Sequence, residues 1–88
     1  MEEPFIVKPC KEKGALEAIP KRERYFNLKR LLGVLLSKGY ELKVDTPFVL
    51  VVQKEREISI FPSGRLLIKS SDPKEVKRIA REIYDLVS

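Results

Sequence analysis

The residue best suited to covalent chemistry is Cys10, the only cysteine in the chain. Lys8, Lys11 and Lys13 stand within three positions of it, and nearby positive charge favours the reactive thiolate. The sequence contains no histidine, so the side chain that most often activates a catalytic cysteine is missing. We therefore expect no nucleophilic site, and a single thiol without a disulfide partner favours a reducing compartment.

No pattern of metal ligands or paired acids stands out. A zinc site would need Cys10 together with carboxylates, and no spacing typical of zinc ligands is present. The 13 Asp and Glu residues fall at predicted strand ends, turns and outer helix faces, where none of their spacings indicates a general acid and base. The four glycines are scattered, so a phosphate-binding loop is not indicated. These patterns predict a protein that is not an enzyme and has no cofactor or metal.

Positive charge indicates a binding function instead. The net charge is +5, and residues 8–30 hold eight Lys or Arg against three Glu. A local basic segment suits an anionic partner such as nucleic acid or an acidic protein face, and a solvated lysine-rich loop is the simpler alternative. The candidate contacts with an anion or partner are Lys8, Lys11, Lys13, Lys21, Arg22, Arg24, Arg65, Lys74, Lys77, Arg78 and Arg81. Phe48, Phe61 or Tyr40 would supply stacking groups from an exposed sheet face.

Two amphipathic helices must position these residues. A leucine stripe predicts the first helix over residues 28–38, with Asn27 as its N-cap and Gly39 just after its last turn. The stripe consists of Leu28, Leu31, Leu32, Leu35 and Leu36. The second helix starts at Asp72 and Pro73, where Glu75 is placed to close a capping box. Its buried stripe is Val76, Ile79, Ala80, Ile83 and Val87.

The remaining segments alternate as strands do. Phe5–Val7 predicts a first strand, and residues 8–24 are interpreted as a basic loop. Within it, Ala15–Ile19 are expected either to make one helical turn or to lie extended. Residues 41–52 are interpreted as one bent strand with a bulge at Pro47. Residues 57–61 and 65–69 predict a hairpin, whose tight turn needs Gly64 for a positive φ. The expected fold is α+β in the order β-α-β-β-β-α, with both helices on one face of an antiparallel sheet.

Composition favours a small folded protein that stays in the cytoplasm. The 88 residues leave room for one domain, and 43% are hydrophobic and 35% charged, as in globular proteins. No apolar run approaches the roughly 18 residues of a membrane span, and the acidic start Met1–Pro4 lacks the layout of a signal peptide. Asn27 and Gln53 are the only amides, which is typical of proteins from hot environments.

Several stretches together resemble a known family. They are Leu28–Gly39, Thr46–Leu50, Ile58–Lys69, Ser71–Pro73 and Ala80–Tyr84. They are similar to the small C-terminal extension of some ThiF/MoeB-type adenylyltransferases, the ubiquitin-activating-like enzymes that charge sulfur carrier proteins. Ser63 and Ser70 depart from the pattern, and the sequence holds no counterpart of the nucleotide-binding domain, so ATP binding, zinc binding and adenylation do not carry over. The resemblance implies an accessory domain that works beside such an enzyme or contacts its carrier protein.

A more distant resemblance links Ile60–Arg65 to the hairpin of one half-repeat of the TATA-binding-protein fold. It implies a similar fold, and a single half would need a symmetric dimer to form a DNA-binding saddle. The leading hypothesis is therefore a non-enzymatic protein-interaction domain associated with sulfur-carrier adenylyltransferases. The alternative is a small basic nucleic-acid-binding module, acting alone or as a homodimer, and neither hypothesis involves a membrane.

Overall fold

A computed structural model describes residues 4–9, 14–22 and 24–86. Within these ranges the elements are β1 (Phe5–Pro9), β2 (Leu16–Pro20), α1 (Leu28–Ser37), β3 (Glu41–Asp45), β4 (Leu50–Gln53), β5 (Glu57–Ile60), β6 (Leu66–Ile68) and α2 (Pro73–Leu86). The predicted α+β class is confirmed. No helix in this part of the chain is long and apolar enough to cross a membrane.

The strands form one six-stranded antiparallel sheet in the order β1-β2-β6-β5-β4-β3. Its register places Ala18, Leu66, Ile60 and Leu50 in one row across four strands, and all four side chains are fully buried. Because side chains alternate along a strand, the same face carries every buried residue of these strands. The core therefore lies on one side of the sheet.

Both helices cover that buried face, as predicted. Leu28, Leu31 and Leu35 of α1 join the same core cluster as the buried stripe of α2. That second stripe consists of Val76, Ile79, Ala80 and Ile83, while Val87 lies outside the described residues. The opposite face of the sheet has no helix over it among the described elements, and we call it the uncovered face.

The prediction of a loop over residues 8–24 is wrong at residues 8–9 and 16–20, which lie in strands, and of the two alternatives for Ala15–Ile19 the extended one is correct. Residues Leu16–Pro20 form β2, which pairs with β1 on one side and β6 on the other. Gly14 makes the turn before it at φ +77°, and Ala18 is fully buried. The real order is β-β-α-β-β-β-β-α. A five-residue strand that includes Glu17 and ends at Pro20 gives only a weak local signal, and its neighbours in the sheet stabilise it.

The prediction of one bent strand over residues 41–52 is also wrong. β3 and β4 are separate strands that pair with each other, and the bulge lies between Leu42 and Val44 rather than at Pro47. The Thr46 hydroxyl closes the turn between them, donating to the Val49 carbonyl at 3.0 Å and accepting from the backbone N–H groups of Phe48 and Val49 at 3.2 and 3.0 Å. Pro47 therefore sits in a turn, where its missing N–H has no cost.

The leucine stripe of α1 is narrower than predicted. Leu32 is only partly buried, and Leu36 is 48% exposed. α1 packs over β3, the edge strand of the sheet, so the sheet offers nothing beyond it to cover Leu36. Asn27 is confirmed as the N-cap, because its Oδ1 accepts from the Arg30 N–H at 3.2 Å. Gly39 is confirmed after the last turn at φ +92°.

The start of α2 is capped as predicted at Asp72, with one difference at Glu75. Asp72 Oδ1 accepts from the Lys74 N–H at 3.0 Å. The Asp72 N–H donates to the Ser70 hydroxyl at 3.2 Å, and that hydroxyl donates to Glu75 Oε1 at 2.6 Å. Glu75 thus reaches the cap through Ser70 rather than directly, and it also binds Arg56 at 2.8 Å.

The hairpin turn between β5 and β6 is confirmed, with Gly64 at φ +91°. The Gly64 N–H donates to the Phe61 carbonyl at 2.9 Å. The Gly64 carbonyl accepts the buried hydroxyl of Tyr84 at 2.6 Å, and this hydroxyl lies 3.4 Å from the Ala18 carbonyl. One side chain of α2 therefore ties together the hairpin turn and β2.

Replacing Tyr84 with Phe should lower the free energy of unfolding by about 1–3 kcal/mol, because it leaves the buried Gly64 carbonyl without this donor. Urea unfolding measures the change. Tyr25→Phe is the matched control: Tyr25 is exposed, so its hydroxyl should contribute less than about 0.5 kcal/mol. Equal effects of the two substitutions would contradict a stabilising role for the hydrogen bond from Tyr84 to the Gly64 carbonyl.

Tyr84 also predicts an alkaline limit to stability. Burial raises the pKa of Tyr84 above its ordinary value, against a smaller opposing effect of Arg24. The folded protein therefore keeps the phenolic proton more tightly than the unfolded chain. The stabilisation is present in full below the unfolded pKa of about 10 and falls as pH rises beyond it. Tyr84→Phe should flatten this decline in unfolding experiments carried out across that pH range.

Glu75 predicts a limit to stability at acidic pH. The hydrogen bond from Ser70, followed by that from Arg56, lowers the pKa of the Glu75 carboxyl. Its contribution to stability is then present above the unfolded pKa of about 4.3 and is lost as pH falls through the folded value. Glu75→Gln should be less stable than the parent at neutral pH and equally stable in strong acid. A difference that is independent of pH would contradict this assignment.

Candidate binding site

Four of the candidate contact residues lie together on the outer side of α2. They border a shallow groove of about 360 Å³ that is lined by Lys74, Lys77, Arg78, Arg81, Glu82 and Asp85. Arg78 Nη2 donates to Glu55 Oε2 at 2.7 Å, and this hydrogen bond raises the pKa of Arg78 above its ordinary value. Because carboxylates line the same groove, they offset much of its positive charge.

Two other candidates, Lys8 and Arg65, lie on the uncovered face of the sheet. Lys8 pairs in register with Glu17, and Arg65 Nη1 lies 3.4 Å from Glu17 Oε1. The Arg65 guanidinium also lies 4.5 Å from the ring centroid of Phe61. Since α2 packs on the other side of the sheet, these cations and those of α2 do not form one continuous surface.

Three further candidates, Lys21, Arg22 and Arg24, lie in the segment between β2 and α1. Lys21 and Arg22 are exposed just after β2, where the Lys21 N–H donates to the Pro4 carbonyl at 3.0 Å. Arg24 follows, with its guanidinium 5.7 Å from the ring centroid of Tyr84. Lys11 and Lys13, like Cys10, lie outside the described residues.

The three aromatic side chains that were expected to offer stacking groups differ in their surroundings. Tyr40 is buried, with Lys54 Nζ 5.3 Å from its ring centroid, so it is not available for stacking. Phe61 is partly buried and already stacked by Arg65. Phe48 is 80% exposed, but it projects from the turn between β3 and β4 rather than from the sheet face.

A second exposed aromatic ring lies in the segment that leads into α1. Tyr25 is 83% exposed, whereas its neighbour Phe26 is buried in the core. Phe26 alone therefore anchors the start of the helix, and the Tyr25 ring has no role in the packing. Arg24, Arg30 and Lys29 line clefts next to Tyr25, and Pro47, the neighbour of Phe48, lines one of them. We call the region that contains Arg24, Tyr25, Lys29, Arg30 and Phe48 the aromatic end of the molecule.

Two clefts flank the segment Tyr25–Asn27. The first, which we call the arginine cleft, has a volume of about 580 Å³ and is lined by Arg24, Tyr25, Phe26, Asn27, Arg30, Leu31, Val34 and Leu86. The second, which we call the proline cleft, has a volume of about 420 Å³ and is lined by Tyr25, Phe26, Asn27, Leu28, Lys29, Asp45, Thr46, Pro47 and Pro62. Because they share three residues, a single extended ligand can occupy both.

The hairpin turn between β5 and β6 holds this segment in place. The Phe26 N–H donates to the Pro62 carbonyl at 2.8 Å. Gly64 packs so closely that a Cβ atom there would lie 2.9 Å from Pro20 Cγ and 3.5 Å from Arg24 Cβ. The same Tyr84 that binds the Gly64 carbonyl lies against Phe26, with their ring centroids 5.8 Å apart. The backbone of the aromatic end is thus supported from the core.

The arginine cleft suits an anion joined to a flat or apolar body. Two guanidinium groups, from Arg24 and Arg30, line it beside the exposed Tyr25 ring, and no carboxylate is among the described residues that line it. Leu31 and Val34 supply an apolar wall. Elsewhere in the described part of the chain, no group of His, Cys, Asp and Glu is arranged to hold a metal ion.

Sequence reasoning missed Tyr25, Lys29, Arg30 and Asp45 as candidate site residues. The signal was present in the run from Arg24 to Arg30, where cations stand on both sides of two adjacent aromatic residues. A helix start needs only one of those aromatics as its anchor. Because Phe26 fills that role, Tyr25 is an aromatic residue in a basic segment that the packing of the helix start does not need.

Comparison with protein-family models, curated proteins and solved structures gives no match to this chain. The resemblance to the adenylyltransferase extension therefore stays a prediction, and the geometry of the aromatic end is the basis for a functional proposal.

Gly64→Ala should destabilise the protein by about 1–3 kcal/mol through backbone strain, with an additional cost because the new Cβ would overlap Pro20. Gly14→Ala is the matched control, because Gly14 also has a positive φ but has nothing within 4 Å of a new Cβ. Thermal or urea unfolding should show the larger loss at Gly64. If the two losses were equal, the close approach to Pro20 and Arg24 would have no energetic consequence.

Proposed function

We propose that this protein is a non-catalytic module that binds single-stranded nucleic acid at the aromatic end. The observation that carries the proposal is the exposed Tyr25 ring, which lines a cleft that contains two arginines. A second exposed ring, Phe48, follows Pro47, which lines the adjoining proline cleft. Single-strand binding proteins combine the same two elements, since aromatic side chains stack on unpaired bases and a basic groove follows the phosphates.

Each element has a defined part in this proposal. Arg24 and Arg30 bind backbone phosphates in the arginine cleft, and Lys29 extends the positive surface toward the proline cleft. Tyr25 stacks on a base between the two clefts, and Phe48 stacks on a neighbouring base. Lys21 and Arg22 precede this surface in the chain, so they add charge that attracts a polyanion over longer distances.

A single strand fits this surface better than a duplex. Bases in a duplex are stacked on each other and expose only their edges, so exposed rings such as Tyr25 and Phe48 have no face to bind. The four cations of the groove on α2 share it with Glu82 and Asp85, and Arg78 is paired with Glu55 and Glu82, so acidic groups reduce the positive charge there. The proposal places the protein in the cytoplasm, in agreement with the single thiol.

A protein partner is the second candidate, and the uncovered face of the sheet favours it. Ile6 and Val44 on this face are 45% and 40% exposed, and Ile19, Val51 and Leu67 beside them are only partly buried. Exposed apolar surface of this kind is typical of protein interfaces. On this reading the chain is an accessory domain that contacts a sulfur-carrier adenylyltransferase or its carrier protein, or pairs with a second copy of itself.

Fluorescence anisotropy with a labelled oligothymidine tests the main proposal. We expect binding at low salt that weakens steeply as salt is added, because phosphate contacts release counterions. Tyr25→Ala and Phe48→Ala should each weaken binding about 5- to 150-fold, which corresponds to the roughly 1–3 kcal/mol of one stacked base. Arg30→Ala should lower the salt dependence by about 0.7 in the logarithmic slope, the value for one phosphate of a single strand.

Two controls separate this site from general charge effects. Lys77→Ala removes a cation from the groove on α2, and Leu36→Ala removes an exposed apolar side chain of α1 away from the clefts; both should bind like the parent. The chain has no Trp and three Tyr, of which Tyr40 and Tyr84 are buried, so quenching of tyrosine fluorescence that disappears in Tyr25→Ala reports stacking on Tyr25. The proposal fails if no binding is seen at low salt, or if Tyr25→Ala and Phe48→Ala bind as well as the parent.

A further inference from the structure

A single carboxylate faces an otherwise basic and aromatic surface. Asp45 lines the proline cleft and is the only acidic side chain among the described residues that do so. It lies at the end of β3, in register with Leu50. No hydrogen bond or salt bridge to its side chain is formed by the described part of the chain. Asp45 is therefore an available acceptor in the cleft.

Three neighbours of Asp45 in the cleft, Thr46, Pro62 and Asn27, already form hydrogen bonds through their oxygen atoms. The Thr46 hydroxyl donates to the Val49 carbonyl and accepts two backbone N–H groups. Pro47 and Pro62 have no N–H, and the Pro62 carbonyl accepts from Phe26. Asn27 Oδ1 accepts from Arg30. The Asp45 carboxylate is thus the charged acceptor that remains available to a ligand among the described residues of this cleft.

A carboxylate has an unambiguous chemical preference on such a surface. It repels phosphate, so it cannot belong to the backbone-binding part of the site. It accepts hydrogen bonds from amino groups, and the pairing of Asp or Glu with the exocyclic N4 amino group of cytosine is a recurring contact in nucleic-acid recognition. Thymine and uracil have carbonyl oxygens where cytosine and adenine carry amino groups, and these oxygens oppose a carboxylate.

We propose that Asp45 selects the base bound in the proline cleft, so that the protein prefers cytosine over thymine or uracil. The proposal rests on the proposed binding of single-stranded nucleic acid. Stacking on Tyr25 and Phe48 accepts any base, whereas the carboxylate favours a base whose amino group can donate to it over one that presents a carbonyl oxygen at the same position. Asp45 is then the residue that converts a general single-strand site into one with a sequence preference.

The test compares oligocytidine with oligothymidine of equal length, bound to the parent protein and to Asp45→Asn at neutral pH and constant salt. We expect the parent to bind oligocytidine about 5- to 150-fold more tightly, since one good base contact contributes roughly 1–3 kcal/mol of discrimination. Asp45→Asn should reduce this ratio toward one. Loss of a negative charge raises the affinity for both strands, so the ratio and not the affinity is the measured quantity.

Glu41→Gln is the matched control, because it neutralises an exposed carboxylate of the same strand that does not line the cleft. It should leave the ratio unchanged. Equal binding of the two strands by the parent would overturn the role of Asp45 and leave the single-strand site intact. If Asp45→Asn kept the same preference for oligocytidine over oligothymidine as the parent, the role of Asp45 would likewise be overturned. Absence of binding to both strands would overturn the proposed function and this inference together.

Discussion

The hydrogen bond from the Tyr84 hydroxyl to the Gly64 carbonyl lies at the junction on which the rest of this structure depends. It connects the end of α2 to the hairpin turn between β5 and β6, and the same hydroxyl lies near the carbonyl of Ala18 in β2. The Tyr84 ring contacts Phe5 and Phe26, with centroids 5.1 and 5.8 Å apart. Strands β1 and β2, which come first in the chain, are thereby tied to the last helix.

The aromatic end depends on the same junction. Gly64 packs closely against Pro20, where a Cβ atom would lie 2.9 Å from Pro20 Cγ, and the carbonyl of Pro62 in the same turn accepts from the backbone N–H of Phe26. The short sequence from Phe61 to Arg65 therefore has two roles. It reverses the chain direction between two strands, and it supports a segment nearly 40 positions earlier that carries the exposed Tyr25.

Much of the fold could be predicted from local patterns, and the errors have a common cause. Asn27, Gly39, Gly64 and Asp72 act as expected because a cap or a tight turn is decided by neighbouring residues. The strand β2 and the separation of β3 from β4 were missed because they depend on partners distant in sequence. For the candidate site, the basic segment was found, but Tyr25 and Asp45 were not, because solvent exposure of one particular ring or carboxylate follows only from the packed structure.

The turn between β3 and β4, which Thr46 closes, has a consequence for the rates at which a ligand binds and leaves. Three hydrogen bonds hold Thr46 against Phe48 and Val49, and the core holds the segment before α1, so the two exposed rings stand on ordered backbone before any ligand arrives. A ligand of this surface then has little loop ordering to offset. Its association would be governed by diffusion and by charge, and differences among ligands would show mainly in how long each stays bound.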